Sequence, residues 1–157
     1  VVQSLKRKYP NIHLDIYGEG ELKEQLQKQI EERGLSNNIN LCGTTSQVFS
    51  KLAESSIFIS TSDFEGISNS MLEAMAVGVP MVCTDCPIGG TRLMLSCGAG
   101  LLSPVGDVKI FVKKVDNLLS DNMLAKRMSS IAIAKAKQYT LSGITEEWLD
   151  VFTRIVR

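Results

Sequence analysis

"SIFISTSDFEGISNSMLEAMAVGVPMVCTD", residues 56 to 85, decides the fold class. A short apolar run at 56–61 gives way to a polar loop around Gly66, and small and apolar residues then predict a helix from Asn69 to Val77. Gly78 and Pro80 stop that helix, and a second apolar run follows at 80–85. Both runs are short, apolar and without polar alternation, as in strands buried on both faces of a parallel sheet.

The same alternation extends in both directions. Upstream, "NIHLDIYG" (11–18) places Ile12, Leu14 and Ile16 on one face of a strand. "GELKEQLQKQIEERG" (20–34) then predicts a helix with Leu22, Leu26 and Ile30 on its packing face and Gly34 as its stop, followed by a strand at 38–43 and a helix at 46–55. Downstream come a strand at 99–104 and helices at 107–120, 121–138 and 142–156. Strands alternating with helices define a doubly wound, Rossmann-like α/β domain with a parallel sheet, here a single domain over 1–157. Glycine-bearing loops at 18–20, 43–45, 62–68 and 86–91 all follow strands, so they belong at the carboxyl edge, where ligands of such sheets bind.

Composition excludes several functions. With 17 basic and 17 acidic residues the formal charge is zero, which argues against a basic face for nucleic acid. No run is long and apolar enough for a membrane span, and no signal-peptide pattern opens the chain. Cysteines stand at 42, 83, 86 and 97. Cys83-Thr-Asp-Cys86 has the spacing of a redox or zinc pair, but Cys42 and Cys97 do not make the second close pair that zinc wants. Cys83 also ends a strand, whereas redox pairs usually open a helix, so free thiols in a reducing cytoplasm are expected. No Asp-x-Asp pair is present, and Asp85 or Asp107 alone makes a poor ligand set, so no metal is expected. "VVQSLKRKYP" begins within what reads as the end of a helix, which predicts that the chain is a piece of something longer.

Two carboxylates bracket the start of the helix at Asn69. The first amides of a helix lack intrahelical partners and carry partial positive charge, so Gly66, Ile67, Ser68 and Asn69 could hold a phosphate or diphosphate. Glu65 stands just before that point and Glu73 one turn inside the helix, on the face of Asn69. Carboxylates only accept hydrogen bonds and suit the paired hydroxyls of a sugar or ribose. Structural readings stay open beside this one. Ser70-Met-Leu-Glu73 matches a capping box, and Glu65 could be a solvated loop acid. Met71, Leu72 and Met75 are expected in the core, with Ala74-Met75-Ala76 letting the helix approach the sheet. Ile110, Lys114 and Leu118 mark a packing face on the helix at 108–119, and Trp148, Val151, Phe152 and Ile155 mark one on the last helix. His13 is expected to be exposed or at an edge. Arg92 is read equally as a phosphate ligand or a surface ion pair, and Asp63 as a turn residue.

At this point the chain resembles a family. "STSDFEGISNSMLEAMAVGVPMVCTD" is similar to the donor-binding motif of retaining GT-B glycosyltransferases of the group 1 (family 4) type, in which Glu-x7-Glu precedes a small-residue helix, Gly-x-Pro and a strand. The likeness runs on through "GG-TR" at 89–92 and "AGLLSPVGD" at 99–107, and back to "YGEGELKEQL" at 17–26. It implies the C-terminal half of a GT-B enzyme, with its first strand and the acceptor-binding N-terminal domain missing and the last helix, 142–156, packing toward that absent domain. It implies transfer of a sugar from a nucleotide-diphosphate sugar, UDP- or GDP-linked, to an acceptor hydroxyl with retention and without a metal or other cofactor. Glu65 would then be catalytic at the anomeric carbon. Gly66, Ile67, Ser68 and Asn69 would meet sugar and diphosphate, and Glu73 the ribose. Gly18, Glu19 and Gly20 would lie near the nucleotide, and Cys42-Gly43-Thr44 near the base. The resemblance further implies a cytoplasmic enzyme of polysaccharide biosynthesis, with peripheral membrane contact through the full-length protein and a fragment that does not turn over alone. Leu93 departs from the family, which has an acid near that place, and the family's loop Arg and Lys that neutralise the diphosphate fall before Val1. Alternatives are a nucleotide-sugar epimerase of the same fold and a non-catalytic nucleotide-binding module. A dinucleotide oxidoreductase is disfavoured, because "GEGELKE" lacks the third glycine of G-x-G-x-x-G.

Overall fold

The computed structural model describes residues 1–156, which form two compact units, 1–48 and 49–156. The first unit holds α1 (Val2–Leu5), β1 (Leu14–Tyr17), α2 (Lys23–Glu32) and β2 (Ile39–Gly43). β1 and β2 pair in parallel, Leu14 opposite Ile39 and Ile16 opposite Leu41. Their inward side chains join Ile12, Val2, Ile30 and Leu35 in a small core. Buried Asn38 ties the strand starts together: its Nδ2 donates to the Ile12 carbonyl at 2.8 Å, and its own carbonyl accepts from the Leu14 amide at 2.8 Å. The expected packing face of α2 is only partly used. Ile30 is buried, but Leu22, which precedes the helix as its N-cap, and Leu26 are exposed. Two strands offer a narrow apolar floor, enough to cover the last turn of the helix.

The second unit continues from α3 (Val48–Ala53) through β3 (Phe58–Ser60), α4 (Asn69–Val77), β4 (Met81–Thr84), α5 (Gly90–Leu95) and β5 (Gly100–Ser103). It ends with α6 (Val108–Ser120), α7 (Asn122–Ala136), a 3-10 turn (Lys137–Tyr139) and α8 (Leu141–Ile155). Its sheet is parallel in the order β3-β4-β5, with Met81 beside both Phe58 and Gly100. All four residues of central β4 are buried, the outcome expected for an apolar strand covered on both faces. Met71, Ala74 and Met75 of α4 pack with Met81, Met94, Leu95, Ala99 and Ala132. The parallel α/β class is as the sequence predicts, and the hydrogen bonding divides the strands into a two-stranded and a three-stranded sheet.

Three local expectations are corrected. The loop expected at 86–91 gives way at Gly90 to α5, whose start Gly89 and Gly90 mask in the sequence. The buried face of α6 is Phe111, Val115 and Leu118, while Ile110 is exposed and Lys114 donates from Nζ to the Leu102 carbonyl. Ala76 points outward, leaving close packing of α4 to Ala74. α8 buries none of its residues, and Trp148 and Phe152, with ring centroids 5.5 Å apart, are exposed, which is compatible with a helix expected to pack toward an absent domain.

Helix starts differ in a way that bears on the site. The Asp107 carboxylate accepts from the Ile110 amide and the Asp121 carboxylate from the Leu124 amide, each at 2.9 Å, capping α6 and α7. Ser68, the N-cap of α4, makes no such bond; its hydroxyl lies 3.0 Å from that of Ser70. At the other end α4 closes on Gly78, whose φ of 81° suits a residue without a side chain. Asp107→Ala and Asp121→Ala should therefore each lower unfolding free energy by about 1 kcal/mol, and Ser68→Ala by well under half of that. Urea denaturation followed by circular dichroism measures all three, and an equal loss for Ser68→Ala would show that α4 is capped after all.

Candidate functional site

Parallel strands send their following loops to the same edge of a sheet, so the loops after β3 and β4 are neighbours. Contact between them is backbone to backbone. A Cβ added to Gly90 would lie 2.0 Å from the Gly66 carbonyl oxygen and 3.0 Å from the Ile67 nitrogen. Only glycine fits there, and its absence of a side chain sets the height of the Glu65–Ile67 loop over the start of α5. The approach to Gly90 is itself unusual. Ile88 has a φ of 79°, strained for a β-branched residue, and Gly89 follows at 78°.

Glu65 is half-buried, and its Oε2 accepts from the Ser62 hydroxyl at 3.1 Å. Ser62 is anchored in turn, since the Thr84 hydroxyl donates to its carbonyl at 2.5 Å. Below lies the Cys83 thiol. Burial, then the neighbouring Cys86 thiol and the Glu65 charge, push it up from 9.0 to about 12, against a smaller opposing effect of its hydrogen bond with the Ser60 backbone. Cys83 thus stays a neutral thiol under Glu65. All four cysteines are free, Cys83 and Cys86 buried, Cys42 and Cys97 exposed.

Glu73 lies one turn inside α4, half-buried, and its carboxylate has no hydrogen-bond or ion-pair partner among the described residues. Because α4 begins at Asn69 with Ser68 as N-cap, Ser70 sits inside the helix and cannot form a capping box with Glu73. Gly66, Ile67 and Asn69 are exposed and Ser68 is half-buried, so the loop and helix start face solvent. Arg92 is not available as a phosphate ligand. Its guanidinium grips both oxygens of Asp85, donating from Nε at 3.0 Å and from Nη2.

The other four expected residues belong to the first unit, where they too form one cluster. The Gly18 amide donates to the Gly43 carbonyl at 2.8 Å. Glu19 sits over Gly43, its Oε1 only 2.7 Å from where a Cβ would stand, and pairs with Lys23 at 3.2 Å. Gly20 is exposed, as is His13. Among the described residues, no three His, Cys, Asp or Glu side chains converge as a metal site would require, and no helix is long and apolar enough to cross a membrane. Sequence reasoning missed Ser62 and the steric role of Gly90. A hydroxyl three residues before Glu65 and the second glycine of a pair are signals, but weak ones.

Comparison with known proteins gives a consistent set of matches. Residues 1–135 match the family model described as "Glycosyl transferases group 1". An uncharacterized glycosyltransferase of Methanocaldococcus jannaschii is 38% identical over 180 residues, covering 94% of this chain and 44% of its own length. The poly(ribitol-phosphate) alpha-N-acetylglucosaminyltransferase of Staphylococcus aureus is 29% identical, covering 97% of this chain and 31% of its own. The crystal structure of a mutant of S. aureus TarM in complex with fondaparinux, alpha-GlcNAc-glycerol and UDP superposes with a TM-score of 0.86 at 29% identity, over 96% of this chain and 31% of that one. The chain thus spans less than half the length of these relatives. Neither an epimerase nor a non-catalytic binding module is favoured by these matches.

Two outcomes test the geometry. In native protein an alkylating agent should modify Cys42 and Cys97 only, with Cys83 and Cys86 reacting after unfolding; mass spectrometry of the labelled peptides reads this directly. Gly90→Ala should cost about 1–3 kcal/mol of stability because the Gly66 backbone must move, whereas Gly66→Ala, with open space around its added Cβ, should cost much less.

Proposed function

Since the chain belongs to the glycosyl transferases group 1 family, we propose that residues 1–157 are the donor-binding half of an enzyme that transfers a sugar from a nucleotide-diphosphate sugar to an acceptor hydroxyl, with retention at the anomeric carbon. One observation carries the reading: α4 starts without a side-chain cap, between a half-buried glutamate held in place and a second one left without a partner. In lacking a side-chain cap α4 resembles α1, α2 and α5 and differs from α6, α7 and α8, whose N-cap side chains accept from the first turn.

In this reading the open amides from Gly66 to Asn69 receive the diphosphate, and the helix dipole stabilises negative charge as it develops on the leaving group. Glu73 accepts from the ribose hydroxyls. Glu65 accepts from the sugar and stands by the anomeric carbon as oxocarbenium character builds. Amides and basic side chains supply the positive field, so a metal is not required. Roles for Gly18, Glu19, Gly20 and Gly43 toward the nucleotide rest on the resemblance alone.

Names among the relatives, such as the S. aureus enzyme acting on poly(ribitol-phosphate), support a glycan or glycopolymer acceptor and a UDP-linked donor, and with them a cytoplasmic location. The acceptor would be bound by the portion of those longer proteins that this chain does not span. The same portion would cover the apolar side of α8, where Trp148, Phe152 and Ile155 are exposed.

Isothermal titration with UDP, GDP, ADP and their sugar conjugates tests the assignment. Glu73→Ala should weaken every nucleotide about 10-fold or more, and Glu65→Ala should weaken only the sugar-bearing ligands. Binding of nucleotide sugars unaffected by either substitution would refute the site.

A further inference from the structure

We infer that Ser62 is the positioning residue of Glu65, its hydroxyl fixing the carboxylate in the orientation that the donor sugar meets. The inference deepens the proposed function and rests on it. Ser62 donates to Oε2 at 3.1 Å, and among the described residues the carboxylate has no other hydrogen-bond partner. One oxygen is thereby occupied by the protein, and Oε1 is the acceptor left for a ligand hydroxyl.

The proton order follows from the chemistry. A serine hydroxyl has one proton, and Ser62 gives it to the carboxylate, which has none to offer. The Ser60 hydroxyl, 3.3 Å from that of Ser62, must then be the donor in their contact. Hydroxyl donation therefore runs from Ser60, at the end of β3, to Ser62 and on to Glu65. A second anchor comes from β4, where buried Thr84 donates to the Ser62 carbonyl. Ser62 is thus tied to two adjacent strands of the sheet, while Glu65 is on a loop and has three side-chain torsions to restrain. A hydrogen bond to an ionised group is short and directional, which suits this restraint. A residue serving only to fold the loop would need the Thr84 bond to its carbonyl but not the hydroxyl bond to Glu65.

Titration of the intact protein that carries this chain separates the possibilities. The quantity read is the sugar increment, meaning the affinity for UDP-glucose, UDP-N-acetylglucosamine or GDP-mannose relative to bare UDP or GDP. Ser62→Ala should reduce the increment about 10-fold and leave bare nucleotide affinity unchanged, while Ser62→Thr, which keeps a hydroxyl, should retain most of it. Thr84→Val, which loosens the anchor without touching Glu65, should reduce the increment partially. In a Glu65→Ala background Ser62→Ala should change nothing further. Additive losses in that double variant, equal losses for bare and sugar-bearing nucleotides, or an intact increment in both Ser62→Ala and Thr84→Val would each overturn the inference and leave the donor-site reading standing. An increment that survives Glu65→Ala would remove the role of Glu65, and the inference with it.

Discussion

The main chain at Gly66 passes so near Gly90 that a single methyl group at residue 90 would overlap its carbonyl. Much of the second unit follows from that contact. A carbonyl and a Cα cannot approach so closely unless both loops leave the sheet at the same edge, which parallel β3 and β4 ensure. The contact sets where Glu65 stands relative to β4 and how the chain turns into α4. It also accounts for the strained residue beside it. A chain leaving β4 must turn within a few residues to bring a glycine under the Gly66 carbonyl, and Ile88 and Gly89 do so in left-handed conformations. Strain of this kind persists where the surroundings over-determine the backbone.

Around this contact, polar and apolar groups are sorted by depth. Met71, Met75, Met81 and Met94 fill the interior, and their flexible side chains pack the irregular space between α4, α5 and the sheet. The neutral Cys83 thiol belongs to the same core, the Thr84 hydroxyl is buried, and Ser60 and Ser62 are half-buried, so the groups leading toward Glu65 offer hydrogen-bonding capacity but no charge. Burying a charge is costly without compensation, and this arrangement lets Glu65 remain half-buried while receiving a hydroxyl bond.

Much of this architecture is legible in the sequence, and the illegible parts share a cause. The bounds of α4, Asn69–Val77, follow from Gly78 and Pro80 after a helical pattern, because stop signals act through local backbone chemistry. Central β4 is legible because burial on both faces demands a continuous apolar run, and β1 because its apolar residues alternate on one face. α5 is hidden because its glycines serve a distant contact with Gly66 and carry no local sign of it. The packing face of α6 keeps Leu118 but takes Phe111 and Val115 in place of Ile110 and Lys114, since Lys114 reaches the Leu102 carbonyl while Phe111 turns inward. Leu22 and Leu26 keep an apolar period although only Ile30 is covered in this chain. For the candidate site, the glutamates are visible in the motif, whereas Ser62 is recognisable only once the loop brings its hydroxyl to Glu65.

Under the proposed function, charge limits what the start of α4 can do by itself. A helix start offers roughly half a positive charge, less than a leaving nucleoside diphosphate requires. Two cations of the second unit are already engaged. Arg92 is held in a two-point ion pair by Asp85, and Lys114 donates to a backbone carbonyl. Freeing Arg92 would leave Asp85, which is mostly covered, without its partner, and that penalty opposes recruitment of the guanidinium by phosphate. If it receives the diphosphate as proposed, the uncapped α4 start therefore orients it more than it neutralises it. Under the proposed function further positive charge would arrive when the longer protein closes over the donor. Such a division couples catalysis to closure: the leaving group is fully stabilised only in the closed state, when water is also excluded and transfer is favoured over hydrolysis.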